Sequence, residues 1–212
     1  MHLISRYFKG RNDKPLWWFA KNGLFYDFGF DNLNESEFYI QNSIEKVDQM
    51  FELVLIADYL EESLILLKDL LQWSLKDVAF LRLNSRLLRT VLDENLRSRI
   101  SEWNKADSLL FQHFNRTFWK KVKKYGLSRM SQEVVRLKEI NSQLRRSCIR
   151  GDGPVAGSDV DDVRFKVFSP KGVKMASYNL REDAKFNKTC RDLVLPERHW
   201  LRYLMTKQYG GA

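Results

Sequence analysis

The sequence predicts an α/β domain in which a parallel sheet with helices on its faces gives way to a half built of long helices. Three observations carry this. Residues 51–83 run apolar, then helical, then apolar again, the pattern of a βαβ unit and hence of parallel strands. After Asn84 the apolar spacing changes to threes and fours over long stretches. Finally, 212 residues that are 44% hydrophobic and 13% aromatic supply one sizeable core and too little chain for two. A single domain is expected over 1–212, with a sheet portion at 1–90, long basic helices at 91–150 and an irregular segment with a last helix at 151–212.

Taken in order, Leu24 to Phe30 (LFYDFGF) reads as an aromatic strand that ends in the turn-prone stretch Asp31, Asn32, Leu33, Asn34. A helix follows from about Ser36 to Phe51, because Ile40, Ile44, Val47 and Phe51 recur on one face. Phe51 to Ala57 (FELVLIA) is a short continuous apolar run of the kind shown by a strand buried on both faces. Ser63 to Trp73 is a Leu-rich helix, and Val78 to Leu83 (VAFLRL) is the next strand. Beyond it, Asn104 is a candidate N-cap with Asp107 three residues on, and Phe111, Phe114, Phe118, Val122 and Tyr125 follow at helical spacing as a core stripe. Met130, Val134, Leu137, Ile140 and Leu144 form a second stripe, and Gly126 between the two either ends a helix or is tolerated inside one. Gly151 to Ser158 is a Gly/Pro-rich linker, and the chain then stays irregular until Pro196, which can open a final helix carrying Trp200, Leu201 and Leu204 inward.

Charge is unevenly placed. Between Arg116 and Arg150 eleven Lys/Arg stand against Glu133 and Glu139 alone, which accounts for the whole net charge of +9. Such a segment is either a solvated helix face or an attractor of anions such as a nucleotide, a sulfated glycan or an acidic headgroup. The three histidines, His2, His113 and His199, have no ligand spacing, and Cys148 and Cys190 sit in no CxxC or Cys/His pattern, so no metal site is expected. No stretch approaches the roughly 18 to 20 apolar residues of a membrane span, and the N-terminus has no basic stretch leading into an apolar run. Sequons occur at Asn34, Asn115 and Asn187, a number that chance alone nearly supplies. Self-sufficient catalytic motifs are absent: there is no GxxxxGK[ST], no GxGxxG after a strand, no GxSxG and no HExxH.

Longer strings carry more. LFYDFGFDN (24–32), YIQNSI (39–44), FELVLIADYLEESLILLKDLLQWSLKDVAFLRLN (51–84), WNKADSLLFQHFNRTFW (103–119), GVKMASYNLRED and the run from Cys190 to Glu197 resemble, in order and over almost the whole chain, the galactose 3-O-sulfotransferase family that includes galactosylceramide sulfotransferase. The strand, helix and strand at 51–84 resemble the uronyl 2-O-sulfotransferases more distantly. The resemblance implies a P-loop-like parallel sheet, 3′-phosphoadenosine 5′-phosphosulfate as donor, a terminal galactose on a glycolipid or glycoprotein as acceptor, no metal, and the lumenal side of the Golgi membrane. It also implies that the donor loop, the catalytic base and a type II membrane anchor fall before Met1. The chain is therefore expected to be a C-terminal part, with no catalytic residue of its own and inactive alone.

Arg82, Asn84, Ser85 and Arg86 follow a strand end that, by the resemblance to the uronyl sulfotransferases, contacts the donor's terminal phosphate, a task suited to guanidinium and hydroxyl donors. The alternative is a surface turn with ordinary arginines. Asp58 and Glu61, beside Tyr59 and Glu62, either bond acceptor hydroxyls or begin the next helix, whose dipole favours acids there anyway. Asp27 and Asp31 pose the same choice. In a lumenal protein Cys148 and Cys190 are expected to be joined, and of the sequons Asn187, in irregular polar sequence, is expected to carry glycan ahead of Asn34, with Asn115 disfavoured by its place in the aromatic stripe. Two rivals remain open: a non-catalytic binding or regulatory module, and a nucleic-acid-binding protein reading through its basic helices, whose affinity would fall steeply with salt.

Overall fold

The computed structural model describes residues 20–88 and 91–210; His2 and the N-terminal stretch lie outside them. The chain forms two compact units, one from residues 1–67 and 91–130 and the other from 68–90 and 131–212.

The elements are mostly helical: α1 (Gly23–Asp27), α2 (Glu37–Met50), α3 (Leu60–Leu71), α4 (Glu94–Trp103), α5 (Lys105–Tyr125) and α6 (Leu127–Cys148), then β1 (Val155–Ala156), β2 (Ala176–Ser177), α7 (Lys188–Val194) and α8 (Glu197–Tyr209). Among the described residues the strands are these two short ones, paired antiparallel with Val155 opposite Ser177. The expected parallel sheet is not among them, and each of its three expected strands has become something else for a visible reason.

Leu24 to Asp27 is helix, and Phe28 to Phe30 a turn and bend, not strand, because the helix's first turn is capped from far along the chain. Asp107 accepts the backbone N–H of Leu24 and of Phe25, both at 3.0 Å. In return Asn22 accepts the N–H groups of Ala106 and Asp107 on its side-chain oxygen, at 3.1 and 3.3 Å. The two helix N-termini thus satisfy each other's orphan donors. Asn104 does occupy the N-cap position of α5, but its side chain makes no cap bond there; its Oδ1 accepts instead from Asn22 N at 2.8 Å. Gly29, at φ 80, ends the turn by donating to Tyr26 O.

Residues 51–56 have no partner strand among the described residues, and only Ile56 is buried among them. Ser63, itself fully buried, does the work of a ladder: its hydroxyl accepts from Ile56 N at 2.9 Å and donates to Ile56 O at 3.0 Å. Residues 79–83, after a turn that takes in Val78, likewise have no partner strand among the described residues; Phe80 N donates to Asn141 Oδ1 on α6 at 3.0 Å and Leu83 N closes a tight turn onto Leu81 O at 2.8 Å. Burial alternates from here on: Leu81, Leu83, Ser85 and Leu87 are half-buried while Arg82, Asn84 and Arg86 are exposed.

The helical expectations stand closer to the outcome. Ser36 caps α2, accepting from Tyr39 N, and Ile40, Ile44 and Val47 are buried, although Phe51 falls past the helix end and is 46% exposed. On α5 the buried stripe is Leu110, Phe114, Phe118 and Val122; Phe111 faces out. Gly126, at φ 104, ends α5 in a conformation a side chain would strain. The last helix differs more: Pro196 sits at its N-cap, no residue of α8 is buried, and Leu201 and Leu204 are about half exposed. They do not point inward.

The first unit is cored by Phe25, Ile40, Ile44, Val47, Ala106, Leu110 and Phe114. The second packs Ile149, Phe165, Tyr178, Leu180, Ala184 and Val194 around the Cys148–Cys190 disulfide, whose Cα atoms lie 5.2 Å apart. Leu81 and Leu83 join that cluster, and Lys68 reaches Glu133 at 2.6 Å with both side chains only 12% exposed.

Candidate functional site

Within the first unit, the C-terminal end of α2 and the chain after it face α5 across a cleft of about 250 Å³. Its polar lining is Asp48, Glu52, Thr117 and Lys121; its apolar lining is Phe51, Val54, Phe114 and Phe118. Helical periodicity explains the α5 side: residues 114, 117, 118 and 121 are one face. Phe114 and Phe118 are core, with 6% and 2% exposure, so the cleft has a rigid aromatic floor. Tyr59 stacks on Phe118 at 5.7 Å between ring centres and meets Trp119 edge-on at 4.9 Å, which fixes the 57–59 turn behind it. Phe51 meets Phe28 edge-on at 5.9 Å.

At the mouth Lys121 Nζ stands 3.6 Å from Glu52 Oε1. Deeper, His113 Nε2 approaches Asp48 Oδ2 to 3.3 Å, an ion-pair distance when the ring is protonated. The approach falls outside hydrogen-bond geometry, and that buried nitrogen has no hydrogen-bond partner among the described residues. Thr117 donates its hydroxyl to His113 O at 3.1 Å, leaving its oxygen lone pairs free to accept. Two acceptor-only carboxylates, one ammonium, one hydroxyl and exposed ring carbon make a surface for a ligand that offers hydroxyl donors beside an apolar face.

The residues singled out from the sequence lie elsewhere. Asp58 is exposed in a 3₁₀ turn (Ala57–Tyr59), and Glu61 is half-buried in the first turn of α3 with Glu62, where the helix dipole favours both; neither lines the cleft. Asp31 closes a local turn, accepting from Leu33 N at 3.0 Å. In the second unit the segment from Ser85 to Leu87 runs antiparallel to 174–176: Arg86 bridges Met175, Ala176 N donates to Ser85 O at 2.7 Å and Leu87 N to Lys174 O at 3.0 Å. Arg82, Asn84 and Arg86 are exposed, while Ser85 is half-buried. Asn84 sits at φ 55. The Tyr178 hydroxyl donates to Arg82 O at 3.5 Å. Burial raises that phenol, and the nearby Arg145 and Arg82 guanidiniums pull it back down.

Of the basic run from Arg116 to Arg150, every Lys and Arg except Lys121 is exposed, as on a solvated helix face. Asn34 and Asn187 each serve the backbone, accepting from Ser36 N and Cys190 N, while Asn115 is half-buried in mid-helix with its Oδ1 out of water and unpartnered. Among the described residues no group of His, Cys, Asp and Glu could hold a metal ion, and no helix is long and apolar enough to cross a membrane.

The cleft was missed because its parts are innocuous in sequence. Asp48 and Glu52 read as a helix end running into a strand, and Thr117 and Lys121 as the polar flank of an aromatic helix. Only the packing of α2 on α5 brings them together; the i, i+4 pair of acids beside an exposed Phe is the sole local signal.

Over residues 5–208 the chain matches the galactose-3-O-sulfotransferase family, and it belongs to that family of sulfotransferases. It is 39% identical over 193 residues to galactosylceramide sulfotransferase of Homo sapiens and 38% identical to that of Bos taurus, in each case over 88% of this chain and 45% of the relative. It is 36% identical over 198 residues to galactose-3-O-sulfotransferase 2 of Homo sapiens, 90% of this chain and 50% of the relative. The chain thus spans about half the length of the curated relatives it matches. No solved structure matches it.

Proposed function

We propose that the protein carrying this chain transfers sulfate from 3′-phosphoadenosine 5′-phosphosulfate to the 3-hydroxyl of a galactose on a glycolipid or glycoprotein, in the lumen of the Golgi. The observation that carries this reading is the family match over 5–208, in which relatives named for galactosylceramide and for galactose O3 align with nearly the whole chain. In the reaction the galactose O3 attacks sulfur, the bond from sulfur to the bridging phosphate oxygen breaks, 3′,5′-adenosine bisphosphate leaves, and the O3 proton passes to a base. Charge growing on the leaving oxygen calls for fixed cationic donors, and no metal is required of the residues described here.

For this chain's own residues, Arg82 and Arg86 are suited to a donor phosphate, being permanently charged and exposed, with the exposed Asn84 and the half-buried Ser85 between them. Asp58 and Glu61 stand as acceptor-side candidates at the start of α3. The buried Cys148–Cys190 disulfide accords with an oxidising lumen.

The test is transfer of labelled sulfate by the protein that carries this chain, with the position of the product ester fixed by mass spectrometry. Sulfation at galactose O3, reduced by Arg82→Ala and Arg86→Ala through a raised KM for the donor, supports the reading. A product esterified elsewhere, or binding of random DNA stronger than of 3′,5′-adenosine bisphosphate at raised salt, overturns it.

A further inference from the structure

The cleft between α2 and α5 has a chemistry that selects among ligands. Its volume of about 250 Å³ lies just under the roughly 300 to 1,000 Å³ of pockets for drug-sized ligands, so it admits one small ring and not a nucleotide. Its lining carries the carboxylates of Asp48 and Glu52 against the single ammonium of Lys121. The balance is negative, and a phosphosulfate or nucleotide would meet repulsion there. A neutral ligand rich in hydroxyls meets the opposite: ionised carboxylates only accept hydrogen bonds, and each hydroxyl brings one to donate.

The apolar part is as selective. Phe51 is 46% exposed at the cleft yet held edge-on by Phe28, so a flat hydrophobic plate is presented at low entropy cost beside the acids. A pyranose with several C–H bonds on one face and hydroxyls around its edge fits a plate flanked by acceptors. The Lys121–Glu52 pair, 36% and 78% exposed at 3.6 Å, is weak enough for a ligand hydroxyl to come between. Asp48 lines the cleft with the His113 Nε2 3.3 Å behind its carboxylate.

We propose that this cleft is a hexose subsite: Phe51 stacks on the apolar face of a galactosyl ring, Asp48 and Glu52 accept from its hydroxyls, and Lys121 donates to one. The choice of galactose among hexoses rests on the function proposed above, while the neutral pyranose rests on the cleft itself.

The test is a titration of the isotope-labelled chain with methyl β-galactoside, methyl β-glucoside and 3′,5′-adenosine bisphosphate, followed by amide chemical shifts. The galactoside is expected to move Val54, Thr117 and Lys121, with binding weakened about tenfold or more by Phe51→Ala and by Glu52→Gln. Both residues are exposed enough that thermal unfolding should stay close to that of the parent, which separates lost binding from lost fold. Equal binding by the variants, shifts confined to other residues, no shifts at the solubility limit of either glycoside, or shifts at this cleft from the nucleotide would each overturn the inference. Binding here by either hexose with no sulfate transfer by the whole protein would sink the sulfotransferase reading and leave the subsite. Transfer to galactose with a KM for the acceptor indifferent to Phe51→Ala would do the reverse.

Discussion

The two units of the molecule are closed by different means. In the first, segments more than eighty residues apart are joined by side chains that cap each other's helices, with Asn22 serving α5 and Asp107 serving α1. In the second, a covalent bond joins Cys148 at the end of α6 to Cys190 in α7, and the short β1–β2 ladder and the bridges at Arg86 and Ile149 fill in around it. The first unit's closure is sensitive to protons and to the loss of single polar groups. The second's is sensitive to redox. The difference follows from content: the first unit's core is built of Phe, Ile and Leu from long helices, while the region from 150 to 190 has little regular structure with which to bury itself.

The largest effect expected is on the second unit. Reduction, or Cys190→Ser, reopens a loop of 42 residues in sequence separation and should cost about 4 kcal/mol on the chain-entropy account. Hydrogen exchange should then quicken from 148 to 194 far more than in α1, α2 and α5; equal quickening in both units would break the contrast. A mass map of non-reduced peptides should find both cysteines in one linked pair.

Next is Asn22→Ala. It strips the cap from α5, leaves a buried site without its hydrogen bonds, and puts at φ 48 a residue that tolerates the left-handed region less well than Asn, for a loss of about 2 to 3 kcal/mol in denaturant unfolding. Asn22→Gly should recover the backbone part alone. A loss no larger than that of an exposed-residue control such as Glu45→Ala would show the reciprocal caps to be incidental.

Smaller again is Asn187→Ala, which removes the cap on Cys190 N and should cost about 1 kcal/mol. Thr189→Ala abolishes the same sequon but keeps the cap, so the two variants separate helix capping from glycosylation. In the glycosylated protein, glycopeptides should carry Asn187 and not the half-buried Asn115; the reverse ranking would place α5 in a different register.

The smallest effect is one of pH. Burial raises the Asp107 carboxyl above its ordinary range, against the lowering by its Leu24 and Phe25 hydrogen bonds, and Asp27 raises it further. A raised folded value means that the group's contribution is fully present below its unfolded value and fades as pH climbs through the folded one. Relative to Asp107→Asn, the parent should therefore be favoured more at about pH 3 than at about pH 7. Glu35 and Glu37, held below their ordinary range by Lys21 and Lys105, act in the opposite sense and lose their contribution as pH falls. A gap between parent and Asp107→Asn that widens toward neutrality would refute the assignment.

Much was legible without coordinates. Family membership rests on ordered strings of sequence, and the helices α2, α3, α5 and α6 announce themselves through apolar spacing, because a helix in contact with a core must repeat every three to four residues wherever that core lies. Tertiary structure alone decided the rest. Leu24 to Phe30 has aromatic residues content in strand or helix, and Asn22 and Asp107 tip it to helix from across the fold. In the apolar runs at 51–56 and 79–83, Ser63 and Asn141 satisfy backbone groups that a neighbouring strand would otherwise take, and no pattern in those runs could disclose it. The cleft belongs with these: Asp48, Glu52 and Phe51 come from one segment, Thr117 and Lys121 from another, and nothing in either marks the partner it will face. Periodicity records which side of an element is buried, whereas a site depends on which elements meet, and that is fixed by contacts distant in sequence.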